Sequence, residues 1–171
     1  MALRYPTRML HRITDVSPEL LAQMKVRAVL LDVDDTLSAH GSQIPYPGSV
    51  EWAQELVDRG FQLIILSNNT KDRVAPFAGQ YGLPFLTMAA KPLPVGYLRA
   101  ARRLGVKPRE CVIVGDQVFT DVLGANLCGM QSILLDPITL QDSFSFRVRR
   151  KWEKPVRRKM TEKERRSQDN E

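Results

Sequence analysis

Short aliphatic runs alternate along the chain with longer segments whose apolar residues recur every three or four positions. The runs are Arg27–Asp32, Phe61–Leu66, Pro84–Met88, Cys111–Gly115 and Gln131–Leu135. Apolar runs of this length read as strands buried on both faces of a parallel sheet. Between them the spacing predicts helices from Gly48 to Arg59, Lys71 to Tyr81, Lys91-Pro92 to Leu104 and Val118 to Cys128. Gly60, Gly82, Gly105 and Gly129 stand after them as stop signals. Val50, Ala53, Leu56 and Val57 are expected on the buried face of the first of these helices. Ser17-Pro18-Glu19 opens a shorter helix that ends near Met24, with a cap, a proline at the first helical position and an acid in the first turn. Residues 1–16 have no clean period. The alternation predicts an α/β fold: a doubly wound parallel sheet of about five strands in a single domain over residues 1–146.

Composition adds limits rather than detail. With 171 residues and 43% apolar content the chain can bury a sizeable core. No apolar run nears the ~20 residues of a membrane span, and Met1-Ala2-Leu3-Arg4-Tyr5-Pro6 has no signal-peptide core. Cys111 and Cys128 read as buried free thiols, which favours a reducing, cytoplasmic setting.

Charge changes the picture at one end. The net charge is +6, but residues 1–146 hold 14 basic and 14 acidic side chains. Residues 147–166 hold 11 basic and 3 acidic, and Asp169 and Glu171 follow. The basic character belongs to an extension, 147–171, and not to the domain. Running into it, Phe144, Val148, Trp152, Val156 and Met160 recur every four residues among arginines and lysines. A basic, tryptophan-bearing amphipathic segment reads as a contact for an anionic membrane surface over 147–166. Pro155 counts against one unbroken helix. Four-residue spacing also drifts about 40° per step around a helix of ~3.6 residues per turn. A helix packing Phe144, Val148 and Trp152 on the domain is the competing reading. Nucleic-acid binding through the same charge has no stacking platform or recognition helix to support it.

The candidate chemistry sits where the strands end. Val29-Leu30-Leu31 runs straight into Asp32, Asp34 and Asp35, followed by Thr36. Ligands of open α/β sheets bind beyond the carboxyl ends of the strands. Carboxylates this close repel unless a cation or a proton lies between them. Ser67, Lys91, Asp116 and Asp121 follow the next three strands in order. Each alone is ordinary turn or cap chemistry; the set in that order is not. It suits phosphoryl transfer through a carboxylate. Mg²⁺ takes octahedral oxygen ligands, and Asp32 and Asp116 supply two. Asp34 is placed to handle the proton. Ser67 can donate to a phosphate oxygen, and Lys91 can offset charge on the phosphoryl group.

These residues resemble the four motifs of the haloacid dehalogenase (HAD) superfamily. Asp32-Val33-Asp34-Asp35-Thr36-Leu37 resembles motif I, Leu66-Ser67-Asn68-Asn69 motif II, Lys91-Pro92 motif III, and Gly115-Asp116-Gln117-Val118-Phe119-Thr120-Asp121 motif IV. The resemblance implies Asp32 as nucleophile forming an aspartyl-phosphate and Asp34 as general acid/base. It implies Ser67, Asn68 and Lys91 at the phosphoryl group. It further implies Asp32, Asp116 and the backbone carbonyl of Asp34 on Mg²⁺, with Thr36 and Asp121 supporting. The acid at Asp34 favours phosphatases over dehalogenases. Ile13-Thr14, Ser17-Pro18, Ser67-Asn68-Asn69, Ala90-Lys91-Pro92 and Thr120-Asp121-Val122-Leu123-Gly124 are similar to the YqeG-like group of class III HAD phosphatases. That group includes phosphatidylglycerophosphate phosphatases. The chain departs from the pattern at Asp35, where Asn or Gly is usual; this carboxylate is expected to face solvent or perturb Asp34, with no catalytic role.

Spacing bears on the substrate. Positions 38–67 and 71–90 hold only a loop, two helices and two strands, which leaves no room for the cap domain that many HAD enzymes insert there. A capless site accepts phosphate presented on something large, a phospholipid headgroup such as phosphatidylglycerophosphate first, unless a second copy covers it. A nucleic-acid 3′-phosphate or a small sugar phosphate is the alternative enzyme reading. A phospho-accepting signalling domain is the non-enzyme alternative; it would need an acceptor Asp after the third strand, where Thr87-Met88 stand.

Overall fold

The computed structural model describes residues 3–137 and 144–168. Six parallel strands form one sheet: β1 (Arg8–Leu10), β2 (Ala28–Leu31), β3 (Gln62–Leu66), β4 (Phe85–Leu86), β5 (Cys111–Gly115) and β6 (Gln131–Leu135). Their order across the sheet is β1-β6-β5-β2-β3-β4. The chain builds outward from β2 through β3 to β4, then returns to the other side of β2 with β5. The order therefore reverses between β2 and β5, and their carboxyl ends open the crevice where such folds take ligands.

Why these strands form is visible in their two-sided burial. All four residues of β2 are buried. Val29 and Leu31 face one side with Leu63, Ile65, Val112 and Val114. Ala28 and Leu30 face the other with Ile64, Leu66, Cys111 and Ile113. The first side is covered by α1 (Pro18–Gln23), α2 (Ser49–Asp58) and α3 (Lys71–Tyr81), the second by α4 (Pro94–Leu104) and α5 (Leu123–Leu127). Each fully buried large aliphatic side chain contributes about 1.5–3 kcal/mol by removal from water. The doubly wound α/β fold is as expected, with one strand more than the sequence predicted.

That strand is β1. It has three residues at a sheet edge, none fully buried, so no apolar period announces it. It pairs in parallel with β6, Arg8 opposite Ile133 and Leu10 opposite Leu135.

Four smaller corrections have local causes. On α2 the buried face is Ser49, Trp52, Ala53 and Leu56, while Val57 is exposed. The Trp52 indole reaches across to donate to the Val16 carbonyl at 2.8 Å. α4 begins at Pro94, so Lys91 and Pro92 belong to the preceding loop. The segment after β5 is a π-turn over Val118–Val122 before α5. Cys111 is buried, but Cys128 is only half-buried.

The largest correction is the C-terminal helix. α6 runs from Phe144 to Gln168 with Pro155 inside it. Pro155 is exposed, and so is Lys151, whose carbonyl the proline leaves without its helical partner. Val156 and Met160 are buried, and Val156 packs with Val118, Val122 and Leu134. Val148 and Trp152 are 41% and 65% exposed, so they do not pack on the domain. The drift of four-residue spacing explains the split: the row starts on the outer face and ends on the inner one. The Phe144 side chain, Asp169 and Glu171 lie outside the described residues.

Candidate active site

Every chemistry-bearing residue reaches the same edge because parallel strands all end there. Asp32 follows β2, Ser67 follows β3, Lys91 follows β4, and Asp116 follows β5. Asp32, Ser67, Lys91, Asp116 and Asp121 are all buried.

Lys91 is the hub. Its ammonium donates to Asp32 Oδ1 and to Asp121 Oδ1, both at 2.7 Å. Burial pulls its pKa down, but the two carboxylates outweigh that and hold it above its ordinary range. The loop aiming it is unusual. Met88 and Ala90 are non-glycine residues with left-handed φ of 49° and 56°, a conformation that costs roughly 1–2 kcal/mol each. Hydrogen bonds repay it. Met88 N donates to the Asn69 carbonyl at 3.1 Å and Ala89 N to the Ser67 carbonyl at 3.0 Å. Asn68 accepts from Lys91 N at 2.7 Å and donates to the Lys91 carbonyl at 3.2 Å. Its side-chain amide is thus engaged with the main chain of Lys91. Ser67 Oγ accepts from Asn69 N at 3.1 Å, which leaves its own hydrogen to donate.

Asp32, Asp116 and Asp121 each offer one oxygen within 4.8 Å of the others. Burial pushes the Asp32 carboxyl up to about 7, against the pull of Lys91 and with the added push of Asp121. Burial, then Asp32 and Asp121, raise Asp116 well above the carboxylate range. Asp121 has both oxygens engaged, one by Lys91 and the other by Gln117 N at 3.3 Å. Its close approach requires a glycine at 115, since a Cβ there would lie 2.2 Å from Asp121 Oδ2. Asp116 Oδ1 is buried, and among the described residues no protein group bonds it. The same holds for Asp35 Oδ1 and Thr36 Oγ1. Three carboxylates against one ammonium, with an orphaned acid oxygen, fit a divalent cation at Asp32 and Asp116.

Asp34 stands outside that cluster. Its carboxylate accepts from Gly41 N at 2.9 Å, Asn69 Nδ2 at 2.8 Å and Arg73 Nη2 at 3.1 Å. Asn69 was quoted from the sequence within motif II but given no role of its own, and Arg73, in the first turn of α3, was not singled out. The Arg73 guanidinium also donates to the Ser42 carbonyl at 2.8 Å, so it ties Asp34 and the 38–47 loop to α3. Asp35 does not face solvent as expected. It is 2% exposed, with φ of 58° in the tight turn closed by Leu37 N on the Val33 carbonyl.

A fold wound this way, with four acids, a serine and a lysine on consecutive strand ends, defines a phosphoryl-transfer site. Residues 17–129 match the haloacid dehalogenase-like hydrolase family, and the chain belongs to that family, as an enzyme of its phosphatase class. It is 34% identical over 151 residues to the probable phosphatase YqeG of Bacillus subtilis, covering 88% of each chain. It is 31% identical over 144 residues to a glyceraldehyde 3-phosphate phosphatase of Methanopyrus kandleri, covering 78% of this chain but 59% of that protein. Among solved structures, a HAD phosphatase from Thermococcus onnurineus is 28% identical with a TM-score of 0.51, over 58% of this chain and 50% of that one. NagD of Escherichia coli K-12, 15% identical with a TM-score of 0.57 over 71% and 91%, shares the fold.

Two outcomes are expected. With no metal bound, the native chain holds a proton on Asp32 between about pH 4 and pH 7 that the unfolded chain has released. Stability then falls as pH rises through that window, and Asp116 shifts in the same direction. Thermal unfolding in chelator should show a lower Tm at pH 7.5 than at pH 5, and Mg²⁺ should raise Tm more at pH 7.5. Equal Mg²⁺ effects at both pH values would count against the cation site. Second, Arg73→Ala should lower kcat about tenfold to a hundredfold with little change in KM, part of the ~10²–10⁴ that a general acid/base supplies. Arg73→Lys should recover part of it; a change confined to KM would contradict a positioning role for Arg73.

Proposed function

We propose that this hydrolase is a Mg²⁺-dependent phosphomonoesterase working through an aspartyl-phosphate on Asp32. Its leading substrate would be a phosphate carried on a phospholipid headgroup, such as phosphatidylglycerophosphate. The observation that carries the reading is the buried Asp32–Lys91–Asp121 chain beside the unbonded Asp116 oxygen, at a strand-end crevice.

The steps follow from the groups present. Asp32 attacks phosphorus as the ester P–O bond breaks, and Asp34 gives its proton to the departing alkoxide. Asp34 then takes a proton from water, whose oxygen attacks the phosphorus of the aspartyl-phosphate. The Asp32 carboxylate leaves and inorganic phosphate is released. Ser67 donates to a phosphoryl oxygen, and Lys91 offsets charge there while favouring the ionised form of Asp32 against burial. Asn68 holds the Lys91 loop in register, and Thr36 and Asp121 support the frame. Asp32, Asp116 and the Asp34 carbonyl would hold Mg²⁺, which supplies charge neutralisation between two anions that otherwise repel.

The substrate class rests on access. Between β2 and β4 the described residues contain a loop, α2, β3 and α3, with no inserted domain. An uncovered site cannot enclose a small ester by itself. The outer face of α6 adds a second argument. Arg147, Lys151, Lys154 and Arg158 are exposed there beside Val148 and Trp152. Such a face suits an anionic bilayer, approached from its cytoplasmic side, at up to about 1 kcal/mol per basic residue. No helix among the described residues is long and apolar enough to cross a membrane. A small sugar phosphate is the second reading, favoured by the name of the Methanopyrus relative. The match leaves much of that longer protein without a counterpart here.

Phosphate release with Mg²⁺ should fall to background in Asp32→Asn; retained turnover would sink the mechanism. A panel of lipid phosphates in mixed micelles, sugar phosphates and oligonucleotide 3′-phosphates should give its highest kcat/KM for the lipid, and a preference for either soluble class would replace that substrate. Replacing Lys151 and Lys154 by Glu and Trp152 by Ser should abolish co-sedimentation with anionic vesicles while leaving turnover of a soluble ester unchanged. Undiminished vesicle binding would remove the membrane reading.

A further inference from the structure

The inner face of α6 reaches back to the loop that carries Asp116. We propose that Glu153 and Arg157 are positioning residues that brace this loop in the shape that receives the divalent cation. The inference rests on the metal reading above.

Three charged residues spaced by four on α6 meet three consecutive residues of the loop. Arg149 Nη1 donates to Gln117 Oε1 at 2.8 Å. Glu153 Oε1 accepts from Val118 N at 2.9 Å. Arg157 Nη2 donates to the Asp116 carbonyl at 2.8 Å, while its Nη1 donates to the Leu135 carbonyl at 3.1 Å. One guanidinium therefore ties together the ends of β5 and β6. Val118 opens the π-turn, so its N–H belongs to a helix start and has no partner within the turn. Glu153 supplies that partner from outside.

Burial makes these contacts informative. Glu153 is 4% exposed, and charged residues rarely lie this deep unless paired. Apolar residues at positions 153 and 157 would pack a helix on the sheet at least as stably. The buried charges do what an apolar residue cannot: they fix main-chain groups on either side of Asp116. Val156 and Met160 supply the packing that keeps the brace seated. Tyr97 holds the far side of the same turn, its hydroxyl donating to the Thr120 carbonyl at 2.7 Å. The loop is thus clamped between α4 and α6.

The test uses the full chain and Mn²⁺ as probe, with free ion followed by electron paramagnetic resonance and no substrate present. Outer partners of metal ligands typically cost about tenfold to a hundredfold in metal affinity when lost. Glu153→Leu and Arg157→Ala should weaken Mn²⁺ binding by that factor and speed amide exchange over residues 116–122. Glu153→Gln keeps an oxygen for the Val118 N–H and should stay close to the unsubstituted chain. Arg165→Ala, exposed near the end of the same helix, should leave Mn²⁺ affinity and amide exchange unchanged. Where Glu153→Leu fails to fold, Arg157→Lys decides: its ammonium reaches one carbonyl instead of two, so its affinity should fall between those of the unsubstituted chain and Arg157→Ala. Unchanged affinity in folded Glu153→Leu and Arg157→Ala, or in Arg157→Lys where Glu153→Leu does not fold, overturns the brace alone. A chain that takes up no Mn²⁺ before any substitution overturns the metal reading, and the brace with it.

Discussion

Three buried carboxylates meeting one buried ammonium set the terms for the rest of this molecule. Charges withdrawn from water cost several kcal/mol each unless paired with good geometry. Lys91 repays part of that cost by bonding Asp32 and Asp121 together. Asp116 is left with a buried oxygen that no described group bonds. Protonation or a divalent cation settles the balance. The site is therefore built unsatisfied toward a cation, and the surrounding fold keeps it from relaxing.

The frame resists relaxation in specific ways. Parallel strands fix the directions of Asp32 and Asp116, which follow neighbouring strands paired Leu31 to Val114. Left-handed Met88 and Ala90 hold Lys91 at its angle, secured by Asn68 on both sides of its peptide. Gly115 gives up a side chain so that Asp121 can lie against the strand end. Each device spends local stability on aim, and the two-sided aliphatic core supplies the surplus.

What could be read from the sequence was whatever repeats or stands in fixed order. The aliphatic runs located five of the six strands because buried parallel strands must be apolar on both faces. Asp32, Ser67, Lys91 and Asp116 were legible as a group because they stand in order just after successive strands. Arg73 escaped notice, and Asn69 was named in its motif without a role, because a helix start calls for polar residues anyway, so their bonds to Asp34 leave no separate signal. β1 was missed because an edge strand of three half-exposed residues has no period to detect. Asp35 was expected to face solvent or perturb Asp34; the tight turn closed by Leu37 N on the Val33 carbonyl rules out the first by burying it.

The C-terminal helix shows why a charge count cannot assign a function. Its basic residues look alike in sequence, yet helical geometry divides them. Arg149 and Arg157 turn inward with Glu153 and bond the loop beside Asp116. Arg147, Lys151, Lys154 and Arg158 turn outward around Trp152. A row spaced by four drifts across this boundary, so the apolar residues change sides as well. One element thus braces the Asp116 loop with one face and offers a cationic surface with the other. Because both faces belong to a single rigid helix, whatever engages the outer one does so within one helix diameter, about 10 Å, of the residues that hold Asp116.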